Sequence, residues 1–292
     1  MEVKVYTYDS FTKEKFKGNQ AAVIPNADNL KKEDMQNIAK EFGYSESVFL
    51  LDSEKAIKKV KFFTPNSEVD LCGHATIAYI KYLIDINYFD LENGKNIVEM
   101  ETNLGVLEII IEKNSYEIES ILMYQDDAQI KDISKENFNE IMEAMNLTLN
   151  EIGNLEIVKG YTGLWDLLIH LKNKKSLDGI RMDREKMMEI SKKLDIISFH
   201  PFVLEEKDGE KIAYVRNFAP IVEIDEESAT GTSNGALAYY LYDKGYLGEN
   251  EYLVSKQGKS MGRESEIKSK ISNGKVLVGG NAVKVIEGII EL

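Results

Sequence analysis

The feature that most constrains this chain is an internal repeat. Phe63-Thr-Pro65-Asn-Ser-Glu68-Val-Asp70, continuing into Gly73-His-Ala-Thr-Ile-Ala78-Tyr-Ile-Lys-Tyr-Leu83, reads like Phe218-Ala-Pro220-Ile-Val-Glu223-Ile-Asp225, continuing into Gly231-Thr-Ser-Asn-Gly-Ala236-Leu-Ala-Tyr-Tyr-Leu241. The spacing F-x-P-x-x-E-[V/I]-D is common to both, with an offset of 155 residues before the turn and 158 after it. Each copy reads as a strand end, a proline-containing loop, a turn of small residues and a helix with apolar positions at helical spacing. A solenoid needs at least about three units of some 20–50 residues, so one repetition at half of 292 residues implies two similar domains.

Runs of β-branched and aromatic residues at Val3 to Tyr8, Val106 to Ile111, Lys211 to Val215 and Val276 to Val278 predict strands. Apolar spacing predicts helices over Lys31 to Glu41, Lys135 to Met145, Arg184 to Leu194 and Ala236 to Tyr242. Helices do not alternate strictly with strands, so the expected class is α+β: two pseudo-symmetric domains, each a mostly antiparallel sheet around a central helix. The expected division is 1–125 and 126–292, with a last strand at about 281–292 that can return to the first domain.

Composition excludes several functions. Asp and Glu outnumber Lys and Arg, 50 to 36, giving a formal charge of −14 with no basic cluster against it. Such a surface repels phosphate backbones and anionic membranes, so neither nucleic acid nor membrane is expected as a partner. The run Lys172, Lys174, Lys175 reads as a solvated loop. No window approaches the ~20 apolar residues of a membrane helix and the N-terminus lacks a signal pattern, so a cytoplasmic protein is expected. Cys72 is the single cysteine and the histidines (His74, His170, His200) are scattered, so no metal site and no cofactor are expected. His170, His200 and Trp165 read as packed structural residues.

Two sites stand out from the residues themselves. Gly73-His-Ala75-Thr76 and Ala229-Thr-Gly231-Thr232-Ser233 each precede a helix, where unpartnered N–H groups and the macrodipole favour an anion. Ordinary N-capping by Thr or Ser accounts for either turn alone, but the duplication points to a cleft between the halves that grips a small carboxylate. Glu46 lies alone between small polar residues and an entering apolar strand, a setting that suits general acid–base catalysis but also fits a surface acid at a strand edge.

Further motifs run the length of the chain: Asp9-Ser-Phe-Thr, Gly18-Asn-Gln-Ala-Ala-Val, Ser45-Glu46-Ser-Val-Phe, Phe63-Thr-Pro, Leu71-Cys-Gly-His-Ala-Thr, Arg216-Asn-Phe-Ala-Pro, Ala229-Thr-Gly-Thr, Gln257-Gly and Met261-Gly-Arg263. In order and spacing they resemble the PhzF-like family of phenazine-biosynthesis isomerases. That resemblance implies the fold of diaminopimelate epimerase, an active site between two similar domains, no cofactor, and a homodimer. It assigns proton transfer to Glu46 with His74 and Glu227 assisting, and makes Asn19 a binding residue.

In related racemases two cysteines exchange protons; here Cys72 resembles one position and Thr230 the other. A threonine hydroxyl is too weak an acid or base for that role. The family's usual Glu-Asp-Pro-Ala-Thr-Gly-Ser run appears as Glu226-Glu227-Ser228-Ala-Thr-Gly231-Thr232, which keeps acid and hydroxyl but lengthens the acid by a methylene. The expected function is isomerisation of a small carboxylate-bearing metabolite. The alternatives are a one-cysteine lyase or dehydratase using Cys72, and a non-catalytic small-molecule binding protein on the same fold.

Overall fold

Period-two alternation starts the first strand: along β1 (Glu2–Ser10), Val3 and Val5 are buried while Glu2 and Lys4 face solvent, and burial becomes continuous from Thr7 onward. A computed structural model describes residues 1–292, and the chain divides into two units, Met1–Met123 with Gly279–Leu292, and Tyr124–Val278.

The first unit continues with β2 (Asn19–Ile24), α1 (Lys32–Phe42), β3 (Glu46–Leu51), β4 (Lys59–Phe63), the short β5 (Glu68–Val69), α2 (Gly73–Asp85), β6 (Gly94–Thr102), β7 (Gly105–Asn114) and β8 (Glu117–Tyr124). β1 pairs antiparallel with β2, β2 parallel with β3, β3 antiparallel with β4, β4 parallel with β6, and β6 antiparallel with β7. The second unit contains β9 (Gln129–Asp132), α3 (Phe138–Ala144), β10 (Val158–Tyr161), β11 (Trp165–His170), α4 (Lys174–Gly179), α5 (Arg184–Leu194), β12 (Ser198–Lys207), β13 (Glu210–Val215), α6 (Gly231–Asp243), β14 (Leu253–Gln257), β15 (Ser265–Ser272) and β16 (Lys275–Gly280). The same succession recurs there: β10 antiparallel to β11, β11 parallel to β12, β12 antiparallel to β13, β13 parallel to β14, β14 antiparallel to β15. The last strand, β17 (Ala282–Glu291), pairs antiparallel with β1 over its length.

Each unit wraps its strands around one helix, as expected for the α+β class. In α2, His74 to Leu83 is buried except for Lys81, and in α6 Ser233 to Ala238, Tyr240 and Leu241 are buried. A helix apolar nearly all round has to be enclosed. α2 packs on β1, β2, β3 and β17, and α6 on β9, β10, β11 and β15. Burying Ile77, Ile80 and Leu83 stabilises this arrangement by about 1.5–3 kcal/mol per side chain.

Two local expectations change. The helix expected from Lys135 begins with a 3₁₀ turn at Lys135–Asn137, closed by Asn137 N–H to the Ser134 carbonyl, and α3 proper is shorter. Lys174 and Lys175 open α4 instead of lying in a loop, because the Asn173 side chain accepts from the Ser176 N–H and caps the turn.

Candidate active site

In the first unit the chain turns from β1 into β2 at Gly18, whose φ is +66°; a Cβ there would sit 2.1 Å from the Ser10 carbonyl oxygen, so only glycine fits. The turn sets Ser10 opposite Asn19, and two residues on Ala21 pairs with Glu46 at the head of β3. The Ser10 hydroxyl donates to the His74 carbonyl at 2.7 Å and so ties the first turn of α2 to this edge. The outcome is that Glu46 meets His74 at the start of α2, which Gly73 opens.

Glu46 Oε2 lies 3.3 Å from His74 Nε2. Glu46 is partly open at 21% side-chain exposure, whereas His74 is buried. Burial lowers the imidazole pKa, opposed by the Glu46 charge and by the Gln20 backbone carbonyl. The ring is therefore neutral near pH 7 and carries one N–H. Two acceptors, the Gln20 carbonyl and the Glu46 carboxyl group, compete for that proton.

Cys72 joins the pair. Its Sγ is 3.4 Å from His74 Nδ1 and 3.9 Å from Nε2, and the donor atoms of Glu46, Cys72 and His74 all lie within 4.8 Å of one another. The start of α2 brings the Cys72 thiol to the His74 imidazole, and the pairing of β2 with β3 brings the Glu46 carboxylate. Each of the three offers one atom of a kind that ligates metal ions.

The two helix starts are built alike. Cys72 and Thr230 occupy the caps in extended conformation with no side-chain cap bond, and each carbonyl accepts the first helical N–H, from Thr76 and Asn234. Ala75 and Thr76 are fully buried, and the Thr76 hydroxyl bonds back to the Cys72 carbonyl at 2.8 Å, so what this turn offers a ligand is backbone N–H. A Cβ on Gly73 would meet nothing within 4 Å, which leaves the turn open to a ligand.

In the second unit, Glu227 Oε2 accepts from the Thr230 hydroxyl at 2.5 Å, and the Gln257 side chain donates to the Glu227 carbonyl at 2.8 Å. Gln257 Oε1 accepts from the Thr230 N–H and from Asn234 Nδ2. The preceding loop is held by the paired bonds of Arg216 to Glu226, 2.8 and 2.7 Å. Thr232 accepts at its carbonyl from the Thr162 hydroxyl. Ser233 is fully buried and turns inward, where Asn217 Nδ2 donates to it at 3.0 Å.

Ser233 belongs to a network that sequence reasoning missed. Asp166 Oδ1 accepts from the Ser198 hydroxyl at 2.6 Å, and Asn217 Nδ2 also reaches Ser198 and His200. Burial pushes the Asp166 carboxyl up to about 7 against the hydrogen bonds of Ser198 and Ser233, and pushes His200 down to about 3. An acid inside the apolar run Trp165-Asp-Leu-Leu-Ile was the available signal. His170 stacks on Phe202, and Trp165 packs against the second unit's core, in keeping with structural roles.

A family model described as phenazine biosynthesis-like protein matches residues 8–288. An uncharacterized isomerase of Clostridium acetobutylicum is 34% identical, covering 99% of this chain and 98% of its own, and the uncharacterized isomerase YfhB of Bacillus subtilis is 30% identical, covering 97% and 96%. A crystal structure of the Bacillus anthracis phenazine biosynthesis protein, PhzF family, superposes with a TM-score of 0.87 at 30% identity over 100% of both chains. A probable proline racemase from Agrobacterium radiobacter shares the fold at a TM-score of 0.64 and 10% identity, covering 99% of this chain and 93% of its own.

Proposed function

The chain belongs to the phenazine biosynthesis-like protein family, and from that premise we propose that it is an isomerase moving a proton within a small carboxylate-bearing metabolite. The 3.3 Å contact between Glu46 and His74 carries this reading. Glu46, partly open, takes a proton from one substrate carbon; the electron pair left behind shifts a double bond; the same carboxyl group returns the proton to a second carbon on the same face. No electron is gained or lost and no co-reactant is consumed. His74, neutral and buried, shares the proton of Glu46 and keeps its carboxyl group oriented.

The substrate carboxylate is assigned to the helix starts at Gly73 and Gly231, whose backbone N–H groups and positive dipole ends favour an anion. Glu227, fixed by Thr230 and Gln257, is assigned an assisting role. The homologues named isomerases support the reaction class. The test is a mass-spectrometric screen of small carboxylates with the protein in deuterated water. Substrate-specific deuterium uptake by wild type that is lost in Glu46→Gln is the expected result, and uptake unchanged in the variant overturns the assignment.

One observation favours a second reading: the 3.4 Å approach of Cys72 Sγ to His74 Nδ1 is a thiol–imidazole pair, as a one-cysteine lyase would use. Elimination of water or another leaving group, abolished in Cys72→Ser and retained in Glu46→Gln, is the outcome that selects it.

A further inference from the structure

Glu227 stands in the loop between β13 and α6, where a side chain can be aimed only if a rigid scaffold fixes its backbone. Two residues supply that hold. The Glu227 N–H donates to the Asn217 carbonyl at 3.1 Å, and the Glu227 carbonyl accepts from Gln257 Nε2 at 2.8 Å. Gln257 is itself tied to the start of α6 by the Thr230 N–H and Asn234 Nδ2. Asn217 is tied to the buried Asp166 network.

Asn217 Nδ2 lies 2.9 Å from Ser198 Oγ and 3.0 Å from Ser233 Oγ, and an amide nitrogen carries two hydrogens, one for each hydroxyl. Each hydroxyl donates its own proton to the Asp166 carboxyl group, Ser198 at 2.6 Å. Four side chains thus close a ring of hydrogen bonds with every donor direction defined, and none of the four is more than 2% exposed. His200 Nδ1, 3.1 Å from the same amide nitrogen, meets it with a lone pair, because burial keeps the imidazole neutral. Away from water, a fully connected polar network of this kind specifies one arrangement of its members.

We infer that Asn217 is a positioning residue: the ring of Asp166, Ser198 and Ser233 locks its side chain, and its carbonyl in turn sets the backbone of Glu227. Ser233 lies in the first turn of α6, so the acid and the turn assigned to the substrate carboxylate share one anchor. One residue earlier, the Arg216 guanidinium grips the Glu226 carboxylate, so adjacent residues of one segment hold adjacent residues of the other. The effect of Asn217 on turnover rests on the assisting role proposed above for Glu227, whereas its hold on the Glu227 backbone does not. A merely structural ring would change stability alone; a positioning ring also loosens Glu227 locally, and its kinetic effect passes through that acid.

The experiment follows amide hydrogen exchange at Glu227 by NMR on the full chain, with turnover read as deuterium uptake by the carboxylate that wild type labels. The variants are Asn217→Ala and Ser233→Ala, with circular dichroism and melting curves to establish that each is folded. Ser191→Ala, which removes a buried hydroxyl of α5 outside the ring, is the control and leaves both readouts at wild type. Weakening one hydrogen bond of ordinary net strength should speed exchange at the Glu227 N–H by about 2–10-fold in both variants. Turnover in Asn217→Ala should fall by up to about 10²-fold, and the same substitution should cost little more once Glu227→Gln is present. If Asn217→Ala does not fold, Ser233→Ala, which leaves the Asn217–Ser198 bond in place, carries the same comparison. Exchange at Glu227 unchanged in the folded variants overturns the inference and leaves the proposed reaction standing. A loss of turnover equal with and without Glu227→Gln also overturns it, since the ring then acts on the fold alone. Wild-type turnover in Glu227→Gln removes the assisting role of that acid, and with it the positioning role of Asn217.

Discussion

Glu46 at the head of β3 and His74 at the second position of α2 face each other across 3.3 Å, a carboxyl group with access to solvent against an imidazole without it. The difference in burial divides the work. Desolvation keeps His74 neutral, so the ring holds a proton without carrying a charge into the interior, and in the proposed reaction the partly open Glu46 is the group that exchanges protons with the substrate. The relationship depends on α2 being fixed at its start, which the Ser10 hydroxyl and the Thr76 back-bond to Cys72 both accomplish.

Glu46→Gln keeps the size and most hydrogen bonding of the side chain but exchanges no proton near neutral pH. Turnover on an identified carboxylate is expected to fall by about 10²–10⁴-fold while the dissociation constant stays within a few-fold. Glu54→Gln, at an exposed acid in the turn after β3, is the matched control and leaves turnover alone. Steady-state kinetics with equilibrium binding on both variants checks the pair.

Gly73→Ala separates ligand space from fold. No protein atom meets the added methyl group and alanine is the better helix former by about 1 kcal/mol, so thermal stability should hold or rise. The methyl group narrows the approach to the first-turn N–H groups, so carboxylate affinity should drop. Calorimetric titration beside a melting curve reads both, and unchanged affinity places the anion elsewhere.

What the sequence disclosed was local. Helical spacing set α5 at Arg184 to Leu194, the bounds the structure has, and the duplicated turns located the starts of α2 and α6. The α+β class followed from strands that helices do not regularly separate. Hidden were contacts set by strand pairing: nothing in the residues near Glu46 reports that β2 and β3 run parallel and bring it to His74. Cys72 illustrates the same limit, since its thiol is a donor only once both neighbours are placed. The Asp166 network stayed hidden because its members, Ser198, Asn217 and Ser233, come from three separate elements.

Asp166 gives the stability a pH dependence of known sign. Its folded pKa of about 7 lies above the unfolded 3.8, so the native state binds more protons between these values and loses stability as pH rises through that window. The buried His200, pushed to about 3, acts oppositely: its contribution is present above the unfolded 6.5 and is lost as pH falls. Asp166→Asn mimics the neutral acid and removes only the first dependence. Its melting temperature should be close to wild type near pH 4 and progressively higher than wild type toward pH 8. A difference constant with pH would mean that the Asp166 carboxyl titrates alike in the folded and unfolded protein, against the raised folded pKa.

Glu46 and Glu227 provide the final test, because they belong to different units of the chain and only chemistry can show that they act as one. Glu227→Gln retains an oxygen able to accept from the Thr230 hydroxyl, so the loop held by Gln257 and by the Arg216–Glu226 pair should survive the change. If both acids serve one proton-transfer event, the first loss removes most of what the second contributes. The double variant should then be little slower than Glu46→Gln alone, a departure from additivity typical of residues that act as a unit. If the two effects on kcat/KM multiply, Glu227 acts independently, as a structural or binding residue of the second unit. Measuring wild type, both single variants and the double variant on one substrate, with circular dichroism to establish folding, decides between the two.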